Sequence, residues 1–216
     1  MTTAYEQLQT AIRQLRTALL PGDFTPSGDY PDPEATHLRT ISFRILAHAE
    51  LEAYFEDLAN LLFHEGWSAW DRSGVPSRVI IGLLAFSGRE HSLPSSSSTA
   101  KKAETNSIPC TEKAKNKWWH NHRNNHGIKE ENLLKLLLPL GISAEDLDST
   151  LISDLSSYGS SRGEAAHRSN LKVKTLADPK TEFDIVTQLV CDIKKIDDLV
   201  NAAIEEIRMI RTAFSA

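Results

Sequence analysis

The sequence predicts an all-α protein, an antiparallel helical bundle built on two long spine helices. Apolar residues recur at helical spacing from about Asp32 to Glu65 and again from about Pro179 to Phe214. No stretch alternates apolar and polar residues as a half-buried strand would. We therefore expect a single helical domain over residues 1–216, with a flexible loop at about residues 87–112.

The composition is that of an ordinary globular protein, since 40% of the 216 residues are hydrophobic and 25% are charged. Two cysteines are too few for a disulfide framework. No apolar run reaches the length of a membrane-spanning helix, so we expect a soluble, cytoplasmic protein. We also expect that the protein needs no cofactor. The formal net charge of −5 argues against indiscriminate nucleic-acid binding, so any contact with RNA requires a local basic patch.

The first part of the chain contains two helices joined by a proline-rich connector. Apolar residues at steps of three and four mark a helix from Tyr5 to Leu19, which Pro21-Gly22 ends. Asp32-Pro33-Glu34 then begins the first spine helix with an N-cap, a first-turn proline and an acid near the positive helix end. We expect Gly66 to end this helix.

His48 falls on or beside the apolar face of the first spine helix, and we interpret it as a packed, hydrogen-bonded histidine. The solvated side is predicted to carry four acids, Glu50, Glu52, Glu56 and Asp57.

A shorter apolar helix follows from Val79 to Phe86. Residues 87–110 then hold few large apolar groups, so they cannot bury enough surface to offset their ordering entropy, and we expect a mobile, Ser-rich loop.

Residues 113–129 form a basic stretch without any acid, and it carries Lys113, Lys115, Lys117, Arg123 and Lys129. Cations interleaved with aromatic rings suit single-stranded RNA, so we predict RNA contacts from Lys115, Lys117, Trp118, Trp119 and Arg123. The alternative is a helix with core tryptophans and solvated charges. A weaker alternative is a metal site at His120, His122 and His126, in which His122 and His126 stand one turn apart.

The second half of the chain contains four predicted helices. A leucine-rich helix is closed by Pro139 and Gly141, and Ser143 caps another that runs to Gly159. A third begins at Ser161, which has capping-box spacing to Glu164. Arg162 then lies in the first turn, where the macrodipole disfavours a cation, and such a local conflict is typical of a functional site. Asp178-Pro179 begins the last helix, whose seven-residue rhythm suits antiparallel packing on the first spine helix.

Arg162 and His167 supply chemistry that metal-independent cleavage of RNA needs. Histidine can accept or donate a proton near neutral pH, and arginine matches the charge and shape of a phosphate. In a regular helix, residues five apart are separated by about 140° around the axis. The two side chains therefore converge only if Arg162 lies at an irregular helix start. In the alternative, Arg162 pairs with Glu164 or Asp154, and His167 packs in the bundle.

The sequence from Arg162 to His167, RGEAAH, resembles the R-x4-H motif of the HEPN superfamily, most of whose characterised members are metal-independent endoribonucleases. The run from Arg44 to Phe55 looks like the second helix of HEPN proteins of the RiboL-PSP type. The resemblance covers about residues 36–65 and 130–214. It implies catalytic roles for Arg162 and His167, with Glu164 as a weaker candidate because Gly163 stands where many members have a polar residue.

The resemblance also implies a homodimeric toxin or antiviral defence effector that leaves a 2′,3′-cyclic phosphate. Because one pair has a single titratable group, a two-fold axis beside this helix would supply the second. Arg168 and Lys172 would guide the RNA backbone at the rim of the cleft. An antitoxin or defence-system protein is a further expected partner, although Ser169 replaces the tyrosine of members paired with a nucleotidyltransferase antitoxin. The alternative function is a catalytically silent HEPN module that binds RNA or a partner protein.

Overall fold

The computed structural model describes residues 1–25, 29–88, 107–167 and 177–214, without the side chains of 107–109 and 163–167. The described residues form a helical bundle with no strand, so the predicted all-α class is confirmed. The α-helices are α1 Thr3–Leu19, α2 Pro33–Ser73, α3 Arg78–Ala85, α4 Ser107–Arg123, α5 Glu130–Leu137, α6 Ser149–His167 and α7 Pro179–Phe214. Short 3₁₀ helices cover Leu138–Leu140 and Ala144–Asp146. None of the helices described is both long enough and apolar enough to cross a bilayer.

The predicted starts of the two long helices are confirmed. Asp32 accepts a hydrogen bond from the backbone N–H of Ala35 at 3.0 Å, and Pro33 is the first residue of α2. Asp178 caps α7 through the same kind of bond, and Pro179 is its first residue. A capping carboxylate satisfies an N–H group that the first turn leaves free, and proline loses no hydrogen bond there.

The predicted end of the first spine helix at Gly66 is wrong, because α2 continues through it to Ser73. The helix has 41 residues. At 1.5 Å per residue it is about 60 Å long. A Cβ atom at Gly66 would lie 2.5 Å from Cγ2 of Val79, the second residue of α3. The glycine therefore permits close packing with α3, a function that the sequence does not distinguish from helix termination.

The chain divides into two compact units, each assembled from separate segments. Unit 1 comprises Met1–Leu58, His126–Glu130 and Leu147–Leu199, and unit 2 comprises Ala59–Asn125, Glu131–Asp146 and Val200–Ala216. Both long helices contribute to both units. A single domain over residues 1–216 stays a prediction.

Within unit 1, the long helices α2 and α7 run parallel, so the predicted antiparallel packing of this pair is wrong. Their contacts advance together: Arg44 Nε lies 2.9 Å from a carboxylate oxygen of Glu182, and further along Tyr54 lies beside Asp197. The antiparallel neighbours of α7 are instead α1 and α6. A seven-residue rhythm fixes which face of a helix is apolar but not the direction of its partner.

Unit 2 has an aromatic core around Trp118. The ring stacks on Phe63 with centroids 4.5 Å apart, and the indole N–H donates to the carbonyl of Leu136 at 3.0 Å. Since α4 already begins at Ser107, the last residues of the predicted flexible loop, 107–112, are helical. Most of that loop, residues 89–106, lies outside the described residues.

Candidate functional site

The helix that carries Arg162 begins earlier than the sequence predicts. Asp148 caps α6, and its carboxylate accepts two backbone N–H groups of the first turn. Ser161 lies inside this helix, where its hydroxyl donates to the carbonyl of Ser157 at 3.1 Å. The predicted N-cap at Ser161 is therefore wrong. A serine hydroxyl can bond the carbonyl one turn back as well as cap a helix, so its spacing to Glu164 does not distinguish the two.

Arg162 and His167 consequently belong to one continuous helix. The irregular helix start that would bring the two side chains together in one chain is absent at Arg162, whose own side chain is exposed. The side chains of Glu164 and His167 are outside those described, and Arg168 and Lys172 are outside the described residues. The catalytic and RNA-guiding functions of these residues therefore stay predictions.

Arg162 stands beside two residues of α2, His48 and Glu52, in a cluster that lies wholly within unit 1. The helix α6 passes so close to α2 that a Cβ atom at Gly159 would lie 3.6 Å from Nε2 of His48. Glu52 follows His48 by one helical turn, and Arg162 follows Gly159 by one turn. Side chains one turn apart share a helix face, so both charged groups stand next to this contact.

His48 is buried and neutral in this cluster, which confirms that it is packed, whereas the predicted hydrogen bond is not found at its Nδ1 within the described part of the chain. Its side chain is 4% exposed, and its ring stacks on Tyr158 with centroids 6.4 Å apart. Burial, and then the positive charge of Arg162, lower the pKa of His48 to about 4. Nδ1 lies 3.7 Å from a carboxylate oxygen of Glu52 and has no hydrogen-bond partner among the described residues. At neutral pH His48 is therefore the uncharged imidazole.

Glu52 is not on the solvated side of α2, because only 22% of its side chain is exposed. Burial and the neighbouring charge of Glu56 raise the pKa of Glu52, while the charges of Arg162 and His126 and a hydrogen bond from Gly127 oppose the rise. Three segments thus meet at one carboxylate: α2, α6 and the turn after α4. The sequence offers one signal for this site, a histidine and a glutamate one turn apart.

An ion pair one turn before His48 ties α2 to α7. Arg44 donates two hydrogen bonds to Glu182, whose side chain is 2% exposed. The hydroxyl of Tyr158 donates to the carbonyl of Arg44 at 3.2 Å, and burial together with the charge of Glu182 raises the pKa of Tyr158. Tyr158 therefore contacts both Arg44 and His48, and it fixes the helix that carries Arg162 against α2.

The basic stretch contributes to the core as well as to the surface of unit 2. Trp118 is 1% exposed, so it is not available to stack on a base, and its predicted RNA contact is wrong. For this residue the alternative of a core tryptophan is confirmed. Trp119 is half-buried, and the guanidinium of exposed Arg123 lies 5.9 Å from the centre of its ring.

Two lysines of the same stretch are engaged within unit 2. Lys115 pairs with Glu112 and lies over the ring of Trp67 at 4.4 Å. Lys117 donates to the carbonyls of Phe86 and Ser87 at 3.2 Å. Their binding of RNA stays a prediction, as does that of Trp119 and Arg123.

The three histidines of the basic stretch do not form the metal site considered above. Over the described ranges, no three His, Cys, Asp or Glu side chains converge as metal ligands would. His122 packs against the rings of Trp118 and Trp119, whereas His126 is close to Glu52. The spacing of one turn is lost because α4 ends at Arg123.

Comparison with known proteins gives one result that bears on family. The family model for RiboL-PSP-HEPN matches residues 21–202, which include the whole of α2 and of α6. Searches of curated proteins and of solved structures found no match to this chain. Because the family match extends over more than half of the sequence, the chain belongs to the RiboL-PSP-HEPN family.

Proposed function

We propose that this protein is a metal-independent endoribonuclease in which Arg162 and His167 carry the chemistry. The supporting observation is the family match, because it includes the helix on which both residues stand. HEPN domains are often ribonucleases, although some are inactive. The corresponding biological role is a cytoplasmic toxin or antiviral effector under the control of an antitoxin or another defence-system protein.

The proposed reaction is an attack of a ribose 2′-oxygen on the adjacent phosphorus. The bond from the 2′-oxygen to phosphorus forms while the bond from phosphorus to the 5′-oxygen breaks. The 2′-hydroxyl loses its proton to a base and the 5′-oxygen gains one from an acid, so the products are a 2′,3′-cyclic phosphate and a 5′-hydroxyl. His167 is the proton carrier, and Arg162 stabilises the charge on the pentacoordinate phosphorus. Because a regular helix does not bring the two side chains of one chain together, they meet at the phosphate only across the proposed dimer.

Arg162 is suited to this role by its exposure. A phosphate can reach its guanidinium from solvent, whereas the neighbouring histidine of the cluster, His48, is buried and uncharged. Arginine stays charged at every physiological pH and presents a planar set of N–H donors to phosphate oxygens. Arg162 is therefore the phosphate-binding cation of the proposal.

The proposed enzyme is a homodimer, because two proton transfers need two titratable groups at one phosphate. An apolar stripe on the first half of α2 supports self-association. Leu38 and Leu46 are 49% and 45% exposed, and Ala49 and Ala53 are exposed as well. At 100° per residue these four side chains fall within an arc of about 80°, next to the side that carries Glu52. A two-fold contact along this stripe repeats each residue and brings a second Arg162 toward the same cleft.

Cleavage of a single-stranded RNA oligonucleotide by Arg162→Ala and His167→Ala tests the proposal. We expect each substitution to lower kcat by at least about a hundredfold, because each removes a group that acts in the transition state. Arg72→Ala and His120→Ala, which replace exposed residues of the same types, are the matched controls. If Arg162→Ala and His167→Ala cleave as fast as the wild type, the alternative of a catalytically silent HEPN module replaces the proposal.

A further inference from the structure

Glu52 has no part in the chemistry assigned above, although it lies in the same cluster as Arg162. We propose that Glu52 is a positioning residue, which holds the guanidinium of Arg162 in the direction of the scissile phosphate. This inference rests on the proposed function and adds a residue of α2 to it. It is based on two observations: the neighbours of the Glu52 carboxylate and the position of Arg162 on α6.

The carboxylate of Glu52 is hydrogen-bonded on one side and has the ring of His48 as a close neighbour on another. The backbone N–H of Gly127 donates to it, and Nδ1 of His48 stands 3.7 Å from one of its oxygens. His48 cannot move away easily, because its buried ring stacks on Tyr158 and Tyr158 is bonded to the carbonyl of Arg44. With 22% of its side chain exposed, Glu52 still faces the surface at which Arg162 is accessible.

Arg162 is an exposed side chain on a regular part of α6. A long, exposed arginine samples many rotamers, and ordering it costs side-chain entropy. Glu52 is a carboxylate close enough to interact with it electrostatically, and both residues stand one turn from the contact of Gly159 with His48. Guanidinium has five N–H donors, so an interaction with one carboxylate leaves donors free for a phosphate.

A purely structural role is the alternative, in which Glu52 only fastens the turn after α4 through Gly127. The variant Glu52→Gln separates the two roles, because the amide oxygen can still accept the Gly127 N–H but carries no charge. Glu50→Gln is the matched control, since it removes the same charge from the same helix two residues earlier. Both are made in the full chain.

The first measurement is the ¹⁵N relaxation of the Arg162 side-chain Nε, identified by the loss of its signal in Arg162→Lys. We expect this group to be ordered in the wild type and in Glu50→Gln, and to become as mobile as exposed Arg39 in Glu52→Gln. The second measurement is cleavage of an RNA oligonucleotide. Glu52→Gln should lower kcat about tenfold with little change in KM, since a misplaced group costs transition-state stabilisation rather than binding.

The two measurements distinguish the failure of this inference from the failure of the proposed function. Equal mobility of the Arg162 Nε in the wild type and Glu52→Gln overturns the inference, whether or not the protein cleaves RNA. Absence of cleavage by the wild type, with an ordered Arg162 that Glu52→Gln releases, overturns the proposed function alone. If Glu52→Gln is poorly folded, Glu52→Asp replaces it: mobility between those of the wild type and of Arg39 supports the inference, and wild-type mobility contradicts it.

Discussion

At the level of single residues, His48 makes the stability of the fold depend on pH. Its pKa of about 4 lies below the ordinary histidine value, so the unfolded chain binds a proton where the folded chain does not. The free energy of unfolding therefore falls as pH drops below about 6.5, and it continues to fall until about pH 4. For one histidine with this shift, the loss between pH 7 and pH 5 is about 2 kcal/mol.

Urea unfolding of the wild type and His48→Gln at pH 7 and pH 5 measures this contribution. We expect the variant to lose about 2 kcal/mol less than the wild type over this interval, because it lacks the titrating ring. Glu52, whose own pKa is raised, and Arg162 are present in both proteins, so the comparison isolates the imidazole of His48. Exposed His120 provides the control, and His120→Gln should behave as the wild type. An identical pH dependence in His48→Gln would show that another group is responsible.

Single residues also show why part of the candidate site escapes prediction from sequence. Trp118 and Trp119 are adjacent, and the sequence gives no reason to place one in the core and the other partly at the surface. The distinction depends on the carbonyl of Leu136, which lies 18 residues away along the chain. Glu52 likewise appears as one acid among four until α6 and the turn after α4 are seen to pack around it.

At the level of helices, signals that act within one turn predict boundaries well. Asp32-Pro33 and Asp178-Pro179 predict the helix starts correctly, because both residues act within the helix that they begin. The aspartate accepts a hydrogen bond from a first-turn N–H, and the proline has no N–H that would need a partner there. Gly66 and Ser161 mislead because their effect depends on context. Gly66 accommodates Val79 of another helix, and the hydroxyl of Ser161 bonds back into its own helix.

Gly66→Ala tests whether close packing explains the glycine inside α2. Alanine is the better helix former by about 1 kcal/mol, so an uncrowded site would be stabilised. The added Cβ would instead collide with Val79, and we expect a loss of about 1 to 3 kcal/mol in the free energy of unfolding. Gly22→Ala is the control, since nothing lies within 4 Å of its added Cβ. Stabilisation by Gly66→Ala would contradict this account of α2.

The helix α4 carries the prediction about RNA affinity. Replacing Lys115, Lys117 and Arg123 together by Gln should weaken RNA binding and reduce the slope of log K against log salt. The reduction expected from three phosphate contacts is about two to three units, and the pairing of Lys115 with Glu112 favours the lower value. A triple variant of the lysines on α7, Lys180, Lys194 and Lys195, is the control. An unchanged slope in the α4 variant would mean that these side chains do not contact the RNA backbone.

At the level of the whole molecule, the sequence predicts the helical class and the two long helices but not how the helices are arranged. Periodicity identifies the apolar face of α7, whereas its direction relative to α2 follows from particular contacts such as Arg44 with Glu182. The division into two units also cannot be read from the sequence, because each unit collects segments that are far apart along the chain. Long-range pairing of this kind leaves no local signal.

The quaternary structure is the last property that the proposal predicts. Leu38→Glu combined with Leu46→Glu places two charges on the exposed apolar stripe of α2 and should separate the subunits, because like charges would face each other across a two-fold contact. Analytical ultracentrifugation measures the dissociation, and circular dichroism checks that the helices remain. Met209→Glu, at a 67% exposed position of unit 2, is the control.

If the reaction needs groups from two subunits, the dissociated variant should cleave RNA at least about tenfold more slowly than the wild type at the same subunit concentration. Raising the protein concentration should restore part of this activity, since association follows mass action.

The same assays with a chelator test whether the mechanism is independent of metal ions. If His167 and Arg162 provide proton transfer and charge without a metal ion, as proposed, the rate should not change and the product should still carry a 2′,3′-cyclic phosphate. Full activity from a verified monomer would contradict the requirement for a dimer. Magnesium-dependent activity that the chelator abolishes would contradict the metal-independent mechanism.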